Sequence, residues 1–346
     1  MNRPDRSRWA RAACVAFAVG LVATYAAVID TGGRDAQDLA VYHATAKVWR
    51  AGDDPRQCAA LKQVAEAKLG GCAVSPAWLT PVTAPLASAS LAALSTPWRA
   101  ALAAATGLAA GLWSLRASWW AALGVGLATA ALYPTLATIT GGNLEAFVAL
   151  LLGAAAASPR YRGLFVAVAG AVKLTPWLLA PVSRWRPTAA AIGFVACTDL
   201  WIDGALFLGP RGAASGDADA IQPTLLGVIR TIRGSRTDVD AAELTVWAAI
   251  AAVAVGTATA RTRHEDEDAR FLAAALGLLV LTPRGWHYLW LGALGPLGVA
   301  WASRPLSLLG LAGLLAPGPF APWAVAALTW TVWLFAPARS SGATAA

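Results

Sequence analysis

The segment "GLFVAVAGAVKLTPWLLAPV", Gly163–Val182, carries a single charge, Lys173, near its middle. At the centre of a membrane helix a lysine costs roughly 2.5–3.5 kcal/mol on insertion scales, so something must offset it, and an anion is the natural partner of an ammonium. The segment also contains its own break. Pro176 removes a backbone donor and disfavours helix at the residue before it. Arginine clusters flank both ends, "SPRYR" (158–162) and "SRWRP" (183–187), and short basic loops favour the cytoplasm. A single crossing cannot return both ends to one side, whereas two half-helices meeting at "KLTP" (173–176) can. Such a break at membrane depth needs protein or a cavity around it rather than lipid.

Outside this segment the chain reads the same way. Of its 346 residues 58% are hydrophobic and only 13% charged, and apolar runs near the roughly 20 residues that cross a bilayer recur along it. Examples are "WARAACVAFAVGLVATYAAVI" (9–29), "WRAALAAATGLAAGLWSL" (98–115) and "PWAVAALTWTVWLFAPA" (322–338). The expected fold class is an all-α polytopic membrane protein of roughly 10–12 transmembrane or re-entrant helices. The net charge of +8 does not point to nucleic acid, because the arginines lie between apolar runs rather than in one basic patch. The run after "MNRPDRSRWAR" is longer than the apolar core of a signal peptide, so an uncleaved anchor is expected.

Placing the basic clusters inside gives one path. These are the N-terminus, Arg116, "SPRYR", "SRWRP", "RTRH" (261–264), "SRP" (303–305) and "PAR" (337–339). Span 9–29 leads out to an external loop, 30–76. A Pro-broken piece, 77–94, lies in the interface or re-enters, and spans near 97–115, 118–138 and 143–157 follow. The re-entrant 163–182 precedes a crossing at 188–208, a second external loop at 209–243, and crossings near 244–260, 269–283, 286–303, 306–317 and 321–337. Residues 1–338 thus form one membrane domain, with 339–346 as a disordered tail. The alternative, in which 77–94 and 163–182 both cross, would put "SRWRP" outside.

On the first path the remaining polar residues gather outside, in "DTGGRDAQDLAVY" (30–42), "TGGNLE" (140–145), "GDADAIQPTLLGVIR" (216–230) and "LTPRGWHYLW" (281–290), with Lys173 below them. That is the layout of a membrane enzyme with an external active site. Asp38 opens a helical stretch in which Tyr42, Thr45 and Trp49 follow at helical spacing. It can be an N-cap, a proton acceptor, or both. His287 sits between Trp286 and Tyr288 at the outer end of a span, where aromatic residues belong in any membrane protein. His43, His264 and His287 show no metal-ligand spacing, and no P-loop, GxGxxG, GxSxG or HExxH motif is present, so no metal and no cofactor are expected. "HEDED" (264–268) reads as a solvated cytoplasmic turn without a matching partner. Cys14 and Cys197 fall in apolar runs. Cys58 and Cys72 share a polar loop, where a disulfide would close roughly 15 residues and add about 3 kcal/mol, a pairing the sequence leaves open.

Five stretches in order carry a family resemblance. "DLAVY" (38–42) matches a D-x-x-V-Y context after the first span, and "AVKLTP" (171–176) matches A-x-K-L-T-P. "GGNLE" (141–145) partly matches a G-Q-x-N-like turn. "IQPTLLGVIR" (221–230) keeps Gln222, Gly227 and Arg230 of an N-Q-S-x-x-G-x-x-x-R loop but lacks its Asn and Ser. "TPRGWHYLW" (282–290) follows S-P-x-S-W-x-H-H-x-x-W with one residue missing and Tyr288 for the second histidine. Together they resemble the C-type, multi-spanning glycosyltransferases, and within them the family 87 enzymes that use a polyprenyl-phosphate sugar.

The resemblance implies an inverting transfer in which Asp38 takes the proton of the acceptor hydroxyl, with Asp30 and Asp35 as rivals. His287 would orient the acceptor or hold the departing phosphate. Lys173 and Arg230 would bind the donor phosphate, and Tyr42, Asn143, Gln222, Trp286 and Tyr288 would bind substrate. A lipid-phosphate donor suits Lys173 physically, since the phosphate is an anion anchored at the membrane. The competing role for Lys173 is to snorkel or to pair with a buried carboxylate such as Asp199. The implied partners are a polyprenyl-phosphate sugar, mannose or else arabinofuranose, a cell-envelope glycolipid or polysaccharide acceptor, and membrane lipid, with no nucleic acid. The implied location is the cell membrane with the site on the extracytoplasmic face. A transporter or flippase of the same general build and a non-catalytic partner in envelope synthesis are the other readings.

Overall fold

The computed structural model describes residues 6–29, 37–55, 57–67, 69, 78–116, 138–173, 175–203, 225–233, 241–281, 291–316 and 320–336. Every regular element among them is helical. Helix α1 (Arg6–Ile29) lies antiparallel to α5 (Leu91–Ser114). Small residues let the backbones meet, since a Cβ on Gly107 would stand 2.5 Å from the Ala16 carbonyl oxygen. Helix α6 (Glu145–Ala157) runs alongside α5 in the same direction, Trp98 reaching Gly142 at one end and Gly153 meeting Ala109 further along. Helices α11 (Glu267–Leu281), α12 (Leu291–Ser303) and α13 (Ala321–Phe335) complete the core, where Trp113 stacks on Phe271 with ring centroids 6.3 Å apart.

The stretch around Lys173 forms a hairpin. Helix α7 (Arg162–Val172) stops at Lys173, whose backbone is extended, and the chain returns as a 3-10 helix, Thr175–Val182. Pro176 and Pro181 leave that arm without two backbone donors, which suits the tighter turn better than a regular α-helix. Trp177 Nε1 donates to the Ala167 carbonyl at 3.0 Å, and its ring covers Gly170. At the base, Gly163 lies against the Ser183 carbonyl oxygen. The two ends therefore emerge side by side, as the flanking arginines led one to expect. A Cβ on Gly170 would fall 2.0 Å from Trp177 Cδ1. The Gly170→Val variant is thus expected to force the arms apart and lose about 1–3 kcal/mol, read as a lower midpoint of thermal unfolding in detergent.

Helix α8 (Trp185–Asp203) follows the hairpin, and α9 (Leu225–Arg233) packs on α10 (Ala241–Thr262). The expected crossing near 306–317 is a 3-10 helix, Pro305–Leu315, laid against α13. The expected start of α5 near residue 97 is corrected to Leu91. Ser90 caps the helix by accepting from the Ala93 amide, and Pro97 is carried inside its second turn. The Pro-broken piece before it is α4 (Leu79–Thr83) continued by a 3-10 turn, Ala84–Ser88.

Helix α2 (Gln37–Arg50) packs on these segments, and α3 (Cys58–Val64) covers its far end. Cys58 opens α3, and Cys72 lies outside the described residues. Buried His43 donates from Nε2 to the Ala89 carbonyl at 2.9 Å. Glu66 pairs with Lys47 and accepts from the Leu91 amide, and these two bonds, Lys47 first, hold its carboxyl below a glutamate's ordinary 4.5.

The "HEDED" stretch is not a partnerless turn. Buried Arg162 reaches the Glu267 carboxylate at 3.2 Å and pairs with Asp268, which also takes Arg116. Arg304, likewise buried, contacts Glu265 at 2.6 Å and donates to the Trp333 and Ala336 carbonyls at 2.7 and 2.9 Å. Arginines from loops far apart in sequence thus converge on one end of the bundle. The acids are there because buried guanidinium groups require partners.

One described helix, Ala242–Thr262, is long and apolar enough to cross a membrane, and Glu145–Ala157, Pro305–Leu315 and Trp323–Phe335 are shorter apolar helices. The flank of the bundle is apolar. Phe17 and Tyr25 of α1, Phe194 and Trp201 of α8, Val253 of α10 and Leu315 all lie exposed, Trp201 by 85%.

Candidate functional site

At the other end of α6 and α7, four polar side chains from three parts of the chain meet. The local fold that brings them together begins with "TGGN" (140–143). The Asn143 amide donates to the Thr138 carbonyl at 3.0 Å, and Gly142 takes φ 76°, a left-handed turn that glycine enters without a steric penalty. Trp98 Nε1 secures the turn by donating to the Gly142 carbonyl at 2.9 Å. Gly141 lies under Asp38, where a Cβ would come within 3.3 Å of Oδ2. The glycine pair therefore lets α2 settle its first turn onto the head of α6.

Asn143 is the hub. Its Nδ2 donates to Asp38 Oδ2 at 2.9 Å. Its Oδ1 accepts from Lys173 Nζ at 3.0 Å and from the Glu145 amide at 2.9 Å. Lys173 Nζ is also 3.3 Å from Glu145 Oε2. Asn143 and Glu145 are buried, whereas Asp38 and Lys173 are partly open. Lys173 reaches the hub because α7 ends there, and Trp78 holds that tip by donating to the Ala171 carbonyl at 2.8 Å. Tyr42 is buried against Leu79 and Leu144, its ring centroid 6.2 Å from that of Trp98, and so forms the floor.

Burial raises the Asp38 carboxyl above the ordinary 3.8, against the Asn143 hydrogen bond and the Lys173 charge, which both lower it. A base works only when ionised, so activity resting on Asp38 falls as pH drops through this raised value. The Asn143→Ala variant loses the stronger of the two lowering contacts. Its acidic limb is expected at higher pH than that of the parent, a shift measurable in a pH–rate profile.

The structure joins Asp38, Asn143 and Lys173, and sets Tyr42 beside them. Arg230 is placed on α9, with Nε 3.6 Å from buried Glu243, which also faces Arg233 at 3.9 Å. Gln222, Trp286, His287 and Tyr288 lie outside the described residues, as do the rivals Asp30 and Asp35. The carboxylate shown against Lys173 is Glu145 rather than Asp199, which is buried on α8. Sequence reasoning passed over Glu145, although an acid at the head of an otherwise apolar 13-residue helix was a visible signal. Among the described residues no group of three or more His, Cys, Asp or Glu could hold a metal ion.

The arrangement offers a half-buried base and a cation linked through one amide. It can accept a proton and bind an anion a few ångströms away. Compared with protein-family models, curated proteins and solved structures, the chain has no match.

Proposed function

We propose that the protein is an inverting glycosyltransferase of the cell membrane. On this reading it moves a hexose, mannose in the first instance, from a polyprenyl-phosphate donor to a cell-envelope glycolipid or polysaccharide on the extracytoplasmic face. The observation that carries the reading is the hydrogen-bonded chain Asp38–Asn143–Lys173, which draws together residues 105 and 30 positions apart.

Inversion needs a base on the acceptor side and charge compensation on the leaving side of one anomeric carbon. Asp38 takes the proton of the acceptor hydroxyl as that oxygen bonds to the anomeric carbon. The bond from that carbon to the phosphate oxygen breaks, its electron pair stays on the phosphate, and Lys173 faces the charge that develops. Asn143 holds Asp38 by one oxygen and leaves the other for the acceptor.

The polytopic membrane setting is supported by the large apolar side chains left exposed on α1, α8, α10 and the Pro305–Leu315 helix. It is also supported by the two-ended distribution of charge. The arginine end and the Asp38 end lie on opposite ends of α7, about 15 Å apart along its 11 residues. With basic residues inside, Asp38 faces outward.

The test is transfer in membranes enriched in the protein, with radiolabelled polyprenyl-phosphate mannose and arabinose supplied in parallel. Label passing from the mannose donor into a glycolipid or polysaccharide supports the reading. Transfer from the arabinose donor alone would change the sugar. Failure of both, with folded protein and native acceptor lipids present, would overturn the enzyme in favour of a transporter or a non-catalytic partner.

A further inference from the structure

Lys173 already has a resident counterion. Glu145 lies behind it, 4% exposed, while the lysine is 27% exposed, so an arriving anion meets the ammonium with a fixed carboxylate at its back. We infer that Glu145 tempers the Lys173 site by charge, lowering its hold on a dianionic phosphomonoester relative to a monoanionic phosphodiester and so promoting release of the spent lipid phosphate. The inference rests on the donor-phosphate reading and adds a role for a residue outside the reacting set.

The charge on the lipid phosphate changes through the reaction. A sugar joined to a polyprenyl phosphate is a diester with one negative charge. When the anomeric carbon leaves, the electron pair of the broken bond remains on the phosphate. The product is a monoester, whose charge approaches −2 above its second pKa of about 6. The proton from the acceptor goes to Asp38 and not to the phosphate. A cation alone would hold the product more tightly than the donor, and turnover would stall on its own leaving group.

Glu145 opposes that. A phosphate oxygen bonded to Nζ at about 2.8 Å would lie within about 6 Å of the Glu145 carboxylate, which is 3.3 Å beyond the ammonium. At an effective dielectric near 20, one added unit of like charge at about 6 Å weakens binding by roughly 100-fold. Among the described residues, Asp38 and Lys173 are charged groups shown against Asn143 and Glu145 at this point. Asp38 approaches through Asn143, from α2, and Lys173 comes from the hairpin tip. On α5, Arg99 lies on the side turned to α1, in line with Ala103 and Gly107. Asp38 is itself neutralised by the transferred proton, which leaves Glu145, 3.3 Å from Lys173 Nζ, as the carboxylate paired with the cation.

The experiment compares purified protein with Glu145→Gln, Glu145→Ala and Glu145→Asp variants at pH 8. Direct binding is measured for two lipids, a short-chain polyprenyl phosphate and its methyl diester. The Gln and Ala variants should each raise the monoester-to-diester affinity ratio by about tenfold or more, and the Asp variant should leave it near the parent value. Either neutral variant that folds suffices for the test. An unchanged ratio in a folded neutral variant, with the parent binding both lipids, overturns this inference while leaving the donor reading intact. A parent protein that binds neither lipid overturns the donor reading and this inference with it.

Discussion

On the proposed function, the Asp38→Asn variant is expected to transfer sugar roughly 10²–10⁴-fold more slowly than the parent, with its fold intact. The substitution keeps the shape of the side chain, and an amide oxygen can still accept from Asn143 Nδ2 across the present 2.9 Å. What disappears is the lone pair that takes the acceptor proton. Since burial already opposes charge at this position, a neutral side chain should leave the unfolding temperature unchanged or slightly raised. Initial rates with labelled donor, set beside thermal unfolding, separate the two effects. Full activity in this variant would sink the base assignment, and a transport activity that survives it would favour the transporter reading.

Removing Lys173 should have two consequences that a second substitution can pull apart. The Lys173→Met variant strands Glu145, whose carboxylate is buried and whose paired cation is Lys173. Breaking a buried pair from one side costs about 3–5 kcal/mol, because the remaining charge is uncompensated. The double variant Lys173→Met/Glu145→Gln removes that charge and should recover most of the stability. Transfer should stay lost in both, since neither offers the Lys173 ammonium to the phosphate. A double variant that regains both stability and transfer would reduce Lys173 to a structural counterion. The comparison is a double-mutant cycle, and the coupling between the two positions is its readout.

The hairpin was legible because two local signals agreed, arginines at both ends and a proline beside the charge. The helix at Asp38 was legible from the spacing of Tyr42, Thr45 and Trp49, all on α2. What the sequence could not show is which carboxylate faces Lys173. Glu145 and Asp199 are both buried acids on apolar helices, and the choice depends on how the hairpin tip is turned by Trp78 and Trp177. The "HEDED" run was misread for a related reason. Its acids look solvated along the chain because Arg162, Arg116 and Arg304 lie 39 to 152 residues away. Asn143 was expected to touch substrate, and its side-chain oxygen and nitrogen are both engaged by protein groups. One of its two Nδ2 hydrogens holds Asp38.

The arginine end of the bundle also imposes an order on synthesis. Arg162 finds its partner at Glu267, 105 residues later in the chain. At about 5–20 residues per second, a ribosome needs roughly 5–20 s to supply that acid. During that interval the base of the hairpin cannot lock, and Arg162 must wait in water or among headgroups. The Asp38–Asn143–Lys173 end has all its residues by position 173, so a nascent chain should pass through a state in which that end can form while the arginine end is still open. A chain stopped before residue 267 would be trapped there, which makes it a natural substrate for membrane quality control.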